Sequence, residues 1–160
     1  EGTLVAPTAG GATNWWSPAF NPQTGLLYVN AFDGEAKFFI RDEDYTAGDR
    51  FTGGGTDAPL PIDNYVSAIR AIDPATGDIR WEFPIKARSR AGVLATAGDL
   101  VFSGSVDGYF YALDANTGAE LWHIPLGGRM NASPMTYAVD GRQYVTMPSG
   151  NVVYTFALDN

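Results

Sequence analysis

Apolar residues along this chain come in short runs, and Gly, Pro, Asn and Asp break them. That punctuation predicts short strands joined by tight turns rather than helices. A first group of strands is expected at residues 17–20, 26–31, 66–73 and 79–84. A second is expected at residues 93–96, 100–103, 109–114 and 120–124, and a third at 135–139, 143–147 and 152–158.

Two of the expected hairpins are copies. Ala71-Ile72-Asp73-Pro74-Ala75-Thr76-Gly77-Asp78-Ile79-Arg80-Trp81 recurs 41 positions later as Ala112-Leu113-Asp114-Ala115-Asn116-Thr117-Gly118-Ala119-Glu120-Leu121-Trp122. Both read A-x-D-x-x-T-G-x-x-x-W. Asp ends a strand and can bond turn amides, Thr-Gly makes the turn, and Trp rides on the returning strand. An indole there can fill the seam between neighbouring sheets. A period of 40–45 residues is that of a four-stranded propeller blade. A further pairing supports the repeat: Gly10-Gly11-Ala12-Thr13-Asn14 with Ser17-Pro18 matches Gly127-Gly128-Arg129-Met130-Asn131 with Ser133-Pro134.

The fold class expected is therefore all-β, with blades of four antiparallel strands at about 14–86, 87–126 and 127–160. Residues 34–64 are an insertion in the first blade, read as an excursion loop with little repeat content. Ala157-Leu158-Asp159 starts a third A-x-D with no T-G-x-x-x-W after it, so the last blade is expected to lack its outer strand. Nothing in residues 1–13 resembles a Trp-bearing strand that would supply it. Three blades are fewer than a ring needs. The expectation is the C-terminal part of a larger propeller, whose unpaired edges and apolar faces invite association.

Composition narrows the chemistry. Of 160 residues, 18 are acidic and 10 basic, a net charge of −8, which argues against binding a phosphate backbone. There is no Cys and one His, His123, so thiolate and multi-His metal sites are excluded, as is a Ser-His-Asp set built on a clear nucleophile elbow. His123 reads as a surface or seam residue. No apolar run approaches the ~18 residues of a membrane span. The chain starts at Glu1 without a charged start and apolar stretch, so a processed or excised chain is expected.

Candidate chemistry gathers on the loops that enter each blade, residues 10–16, 87–92 and 127–133. They bring Asn14, Trp15, Arg88, Arg90, Arg129 and Asn131 to one rim, a set suited to an anionic, planar ligand. At least one of Trp15 and Trp16 is expected to pack between strands. Asp42, Glu43 and Asp44 offer carboxylates to Ca²⁺, but their spacing is not an EF-hand, and a solvated acidic surface is the reading adopted. Asp33 and Asp107, beside glycines, read as turn residues.

The repeated hairpin resembles the tryptophan-docking motif of the eight-bladed quinoprotein alcohol dehydrogenases, the methanol and ethanol dehydrogenases that use pyrroloquinoline quinone (PQQ). The likeness extends through Gly11-Ala12-Thr13-Asn14-Trp15-Trp16-Ser17-Pro18, Asn21-Pro22-Gln23-Thr24-Gly25, Gly92-Val93-Leu94-Ala95-Thr96-Ala97-Gly98-Asp99 and Ser133-Pro134-Met135-Thr136-Tyr137. It covers nearly all of the chain except the insertion. The resemblance implies that Asn14, and with it Trp15, contacts the quinone, and that the loop carrying Arg90 and Ala91 passes beside it. It implies PQQ and Ca²⁺ as cofactors, with the metal ligands and the catalytic Asp on earlier blades. No catalytic and no metal-binding residue maps onto this chain. Asn151-Val152-Val153 follows Ser149-Gly150 where methanol dehydrogenases carry Gly-Gly-Trp, which points away from methanol. Further expectations are a periplasmic location, a small alcohol substrate, a cytochrome c-type electron acceptor, and the remaining blades as partner. Neither nucleic acid nor a membrane span is expected. The alternative is a non-catalytic scaffold propeller of the outer-membrane assembly type.

Overall fold

The computed structural model describes residues 1–57 and 66–158. Among them every regular element is a strand: β1 (Thr3–Val5), β2 (Ala19–Asn21), β3 (Leu26–Asp33), β4 (Ala36–Ile40), β5 (Gly54–Asp57), β6 (Val66–Ile72), β7 (Ile79–Ile85), β8 (Leu94–Ala95), β9 (Leu100–Gly104), β10 (Tyr109–Asp114), β11 (Glu120–Pro125), β12 (Met135–Val139), β13 (Arg142–Ser149) and β14 (Val152–Phe156). All pairings are antiparallel. The sheets run β2-β3-β6-β7, β8-β9-β10-β11 and β12-β13-β14. These are two four-stranded propeller blades and three strands of another.

The copied hairpins fold alike. In each, the ladder slips at the same place, between Ala71 and Ile72 and between Ala112 and Leu113. The turns close identically, Gly77 N–H to the Asp73 carbonyl and Gly118 N–H to the Asp114 carbonyl. Asp114 Oδ1 also accepts from the backbone N–H of Asn116 and of Thr117 and from the Thr117 hydroxyl. Those donors favour the charged form and hold its carboxyl below the usual range.

Period-two alternation sends successive side chains to opposite faces, so the middle blade feeds two cores. Val101 and Leu113 join Tyr28, Ile69 and Trp81 of the first blade. Phe102, Phe110 and Ala112 join Met130 and Met147 of the third. Trp81 is 9% exposed; its Nε1–H donates to the Ala115 carbonyl at 2.9 Å, and its ring covers Gly118. Trp122 is 39% exposed and meets Phe110 and Phe156 edge-on, at 6.0 and 5.4 Å between ring centroids.

Two expectations are corrected. The insertion is more than an excursion loop, since β4 and β5 pair within it. β1 adds to their edge, Thr3 opposite Phe38, giving a fourth sheet of three short strands, β1-β4-β5. Glycines at 54 and 55 and the short strands hid the alternation. Residues 58–65 of the insertion lie outside the described residues. Asp33 is not a turn residue but ends β3, where it grips Arg70; Nη2 lies 2.5 Å from Oδ2, and Arg70 Nε reaches Glu82 at 2.5 Å. The guanidinium holds the Asp33 carboxyl below its usual range, and the two carboxylates raise that of Arg70. Asp107 does sit in a turn, accepting from the Ser105 hydroxyl.

Candidate functional site

The loops entering the three blades are each tied to the far end of that blade's own second strand. Phe32 N–H, near the end of β3, donates to the Ala12 carbonyl at 2.8 Å. The Ser89 hydroxyl donates to the carbonyl of Gly104, the last residue of β9, at 2.6 Å. At the end of β13 the Ser149 hydroxyl donates to the Gly128 carbonyl at 2.8 Å, and Gly150 N–H to that of Arg129 at 2.9 Å. Because each loop meets the same end of a second strand, all three emerge on one rim. The first two blades also touch beside their first strands, through Val93 N–H to the Ser17 carbonyl and Asn21 Nδ2 to that of Thr96.

The loop of residues 10–16 is internally braced. Gly11 N–H donates to the Thr8 carbonyl, and Asn14 Nδ2 donates to that of Gly10 at 3.0 Å. Asn14 Oδ1 accepts from Trp15 N–H at 2.8 Å. This leaves Asn14 exposed with one N–H and one lone pair still available. The two adjacent tryptophans part company: Trp16 is 4% exposed against Phe32, while Trp15 is 67% exposed, its ring tilted 54° from its neighbour's. Trp16 thus takes the packing role and Trp15 stands out on the rim.

In the second loop Arg90 is exposed and Arg88 half-buried, its guanidinium 4.0 Å from the Phe32 ring centroid and 5.8 Å from that of Trp16. Ala91 is fully buried. Its N–H donates to the Ser89 hydroxyl and its carbonyl accepts Asn30 Nδ2 at 2.6 Å. Arg129 and Asn131, on the third loop, are exposed.

Asn30 is the residue that the sequence analysis passed over. It is buried in β3, and its Nδ2 also reaches the Ser103 hydroxyl at 2.6 Å, which in turn donates to the Gly92 carbonyl. One side chain so anchors residues 91 and 92 of the next blade. An amide inside the apolar run of β3 was the available signal, since a buried amide needs partners. Asn30 Oδ1, Trp16 Nε1 and Ser67 Oγ are buried without a hydrogen-bond partner among the described residues.

The acidic segment turns on itself. Glu43 accepts from the N–H groups of Thr52 and Gly53 and lies 3.7 Å from Arg41, while Asp42 and Asp44 are exposed. Among the described residues no group of three His, Cys, Asp or Glu side chains is placed to hold a metal. His123 is exposed, 2.6 Å from Glu120 and against the rings of Tyr109 and Tyr111. Among the described residues no helix is long and apolar enough to cross a membrane.

Residues 82–145 match the family model described as PQQ, glucose/ethanol/alcohol dehydrogenase, beta-propeller domain. The quinoprotein ethanol dehydrogenase of Pseudomonas aeruginosa is 39% identical over 146 residues, 91% of this chain and 23% of that protein. The chain is thus similar, along nearly its whole length, to one segment of the quinoprotein alcohol dehydrogenases. Solved quinoprotein structures superpose closely. The quinohemoprotein alcohol dehydrogenase ADHIIG of Pseudomonas putida gives a TM-score of 0.83 at 34% identity, over 96% of this chain and 24% of that one. That of Comamonas testosteroni gives 0.82 at 32%, over 94% and 24%. The chain spans about a quarter of the length of the quinoprotein relatives it matches.

Proposed function

We propose that the chain is the C-terminal segment of a periplasmic dehydrogenase that oxidises small alcohols with PQQ and Ca²⁺. In this reading it forms one wall of the quinone pocket and supplies no catalytic base. The observation that carries the reading is the match to quinoprotein alcohol dehydrogenases along 91% of the chain.

The donor set on the rim fits the cofactor, a planar quinone bearing carboxylates. Trp15 offers an exposed flat ring for stacking. Asn14 keeps one N–H and one lone pair for the quinone edge. Arg90 provides an exposed cation for a carboxylate. Ala91 contributes packed backbone behind them, held by Asn30. When bound, PQQ accepts the two electrons of alcohol oxidation. This chain's residues would hold it: Asn14 would bond its polar edge, and Trp15 would offer an apolar ring against it. The metal ligands and the group that takes the alcohol proton belong to the rest of the protein, and a cytochrome c-type protein receives the electrons.

The test is a PQQ titration of the metal-loaded apoprotein in its full length, followed by quenching of tryptophan fluorescence. Asn14→Ala is expected to weaken PQQ binding about ten-fold, the value of one hydrogen bond to a charged or strongly polar edge. Unchanged affinity would remove Asn14 from the pocket.

A further inference from the structure

We infer that Arg88 is a positioning residue for the quinone-facing loop, acting as a planar cationic brace between two blades. The inference rests on the proposed PQQ pocket, because it concerns how Asn14 and Trp15 are held there.

The geometry is specific. Arg88 belongs to the loop entering the second blade, and its own carbonyl accepts Val106 N–H, so its backbone is tied to that blade. Its side chain crosses to the first blade, where the guanidinium lies over Phe32 at 4.0 Å and beside Trp16 at 5.8 Å. Phe32 and Trp16 bracket the Asn14 loop: Phe32 N–H holds Ala12, and Trp16 follows Trp15 in the chain. The guanidinium also fills the space over Gly10, where an added Cβ would collide with Nη2. Gly10 is the residue whose carbonyl holds the Asn14 amide. Arg88 therefore bears on both ends of the loop, on Gly10 at one and on Trp16 at the other.

The chemistry needs arginine rather than any cation. A guanidinium is flat, weakly hydrated and able to lie on an aromatic face while still donating in its plane. A lysine ammonium is a compact, strongly hydrated charge that would draw the stem towards water. Asn14 and Trp15 make their loop bonds only at the surface, where water competes for them. A brace beneath the loop limits the conformations it can adopt before the quinone arrives, which lowers the cost of binding.

The experiment compares wild type, Arg88→Lys, Arg88→Met and Phe32→Leu in the full-length apoprotein. It reads amide hydrogen exchange over residues 10–16 and PQQ affinity by tryptophan quenching. Arg88→Met and Phe32→Leu are each expected to speed exchange across this loop about ten-fold and to weaken PQQ binding several-fold; the midpoint of thermal unfolding should change little in Arg88→Met and fall in Phe32→Leu, whose ring is buried. Arg88→Lys is expected to restore less than half of either effect. Unchanged loop exchange in Arg88→Met, or full restoration by lysine, would overturn the inference. If Arg88→Met fails to fold, Phe32→Leu carries the same reading, and wild-type exchange there would overturn it. Unchanged PQQ affinity in Asn14→Ala strikes the cofactor reading alone, so the two failures are distinguishable.

Discussion

Trp81 and Gly118 provide a direct measure of how one blade holds the next. The indole is buried, donates to the Ala115 carbonyl at 2.9 Å, and covers Gly118 so closely that an added Cβ would meet its Cε3 at 2.5 Å and Cδ2 at 2.7 Å. Trp81→Ala should cost ~3–5 kcal/mol, the range for a buried large aromatic. The loss stays within that range because the Ala115 carbonyl keeps a second donor, the Tyr28 hydroxyl. Gly118→Ala carries two penalties. Its φ of +73° strains any Cβ by ~1–2 kcal/mol, and the collision with a pinned ring adds ~1–3 kcal/mol. Gly77 occupies the same motif position with φ +82° but has nothing within 4 Å of its added Cβ, so Gly77→Ala reports the strain alone. In the Trp81→Ala background, Gly118→Ala should fall to the cost of Gly77→Ala. The double variant is then ~1–3 kcal/mol more stable than the sum of the singles. Urea unfolding midpoints of the five proteins, at unchanged m-value, measure this. Additivity within ~0.5 kcal/mol, or Gly118→Ala no worse than Gly77→Ala, would refute the contact as the joint between blades.

Other expectations follow from single groups. Tyr28→Phe should cost ~1–2 kcal/mol, because its hydroxyl donates to Ala115 at 3.0 Å and lies 2.7 Å from the Thr24 hydroxyl; a neutral effect in urea unfolding would contradict this. Burial pushes the Tyr28 phenol up, so its contribution is full below its ordinary value of ~10 and is lost as pH rises towards the folded one; the Phe variant should show a shallower alkaline decline. Asp33 runs the other way. Arg70 holds its carboxyl down, so its contribution is full above ~4 and is lost as pH falls through the lowered folded value. Asp33 is largely exposed, so Asp33→Asn should remove less than ~1 kcal/mol at neutral pH and flatten the acid limb of the stability curve; an unaltered acid limb would show the pair to be inert.

Much of the fold was legible in the sequence because its determinants are local. A-x-D-x-x-T-G-x-x-x-W encodes a strand, a turn and a returning strand within eleven residues, and both copies fold with the same slip in the ladder. Period-two patterning also predicted which strands build each blade. What remained hidden depends on residues far apart in the chain. Trp15 and Trp16 are neighbours of the same type, and the packing of Phe32 and Arg88 against one of them decides which is displayed. Asn30 reads as an oddity in a strand until Ala91 and Ser103, more than sixty positions away, take its amide protons. The insertion read as a loop because its strands are short and β5 opens on two glycines; pairing of β4 with both β5 and Thr3–Val5 gives the small sheet its order. Local turn chemistry and alternation write strands and hairpins, whereas the donors and rings that meet across two blades are set by how those blades stack, which no short window of sequence contains.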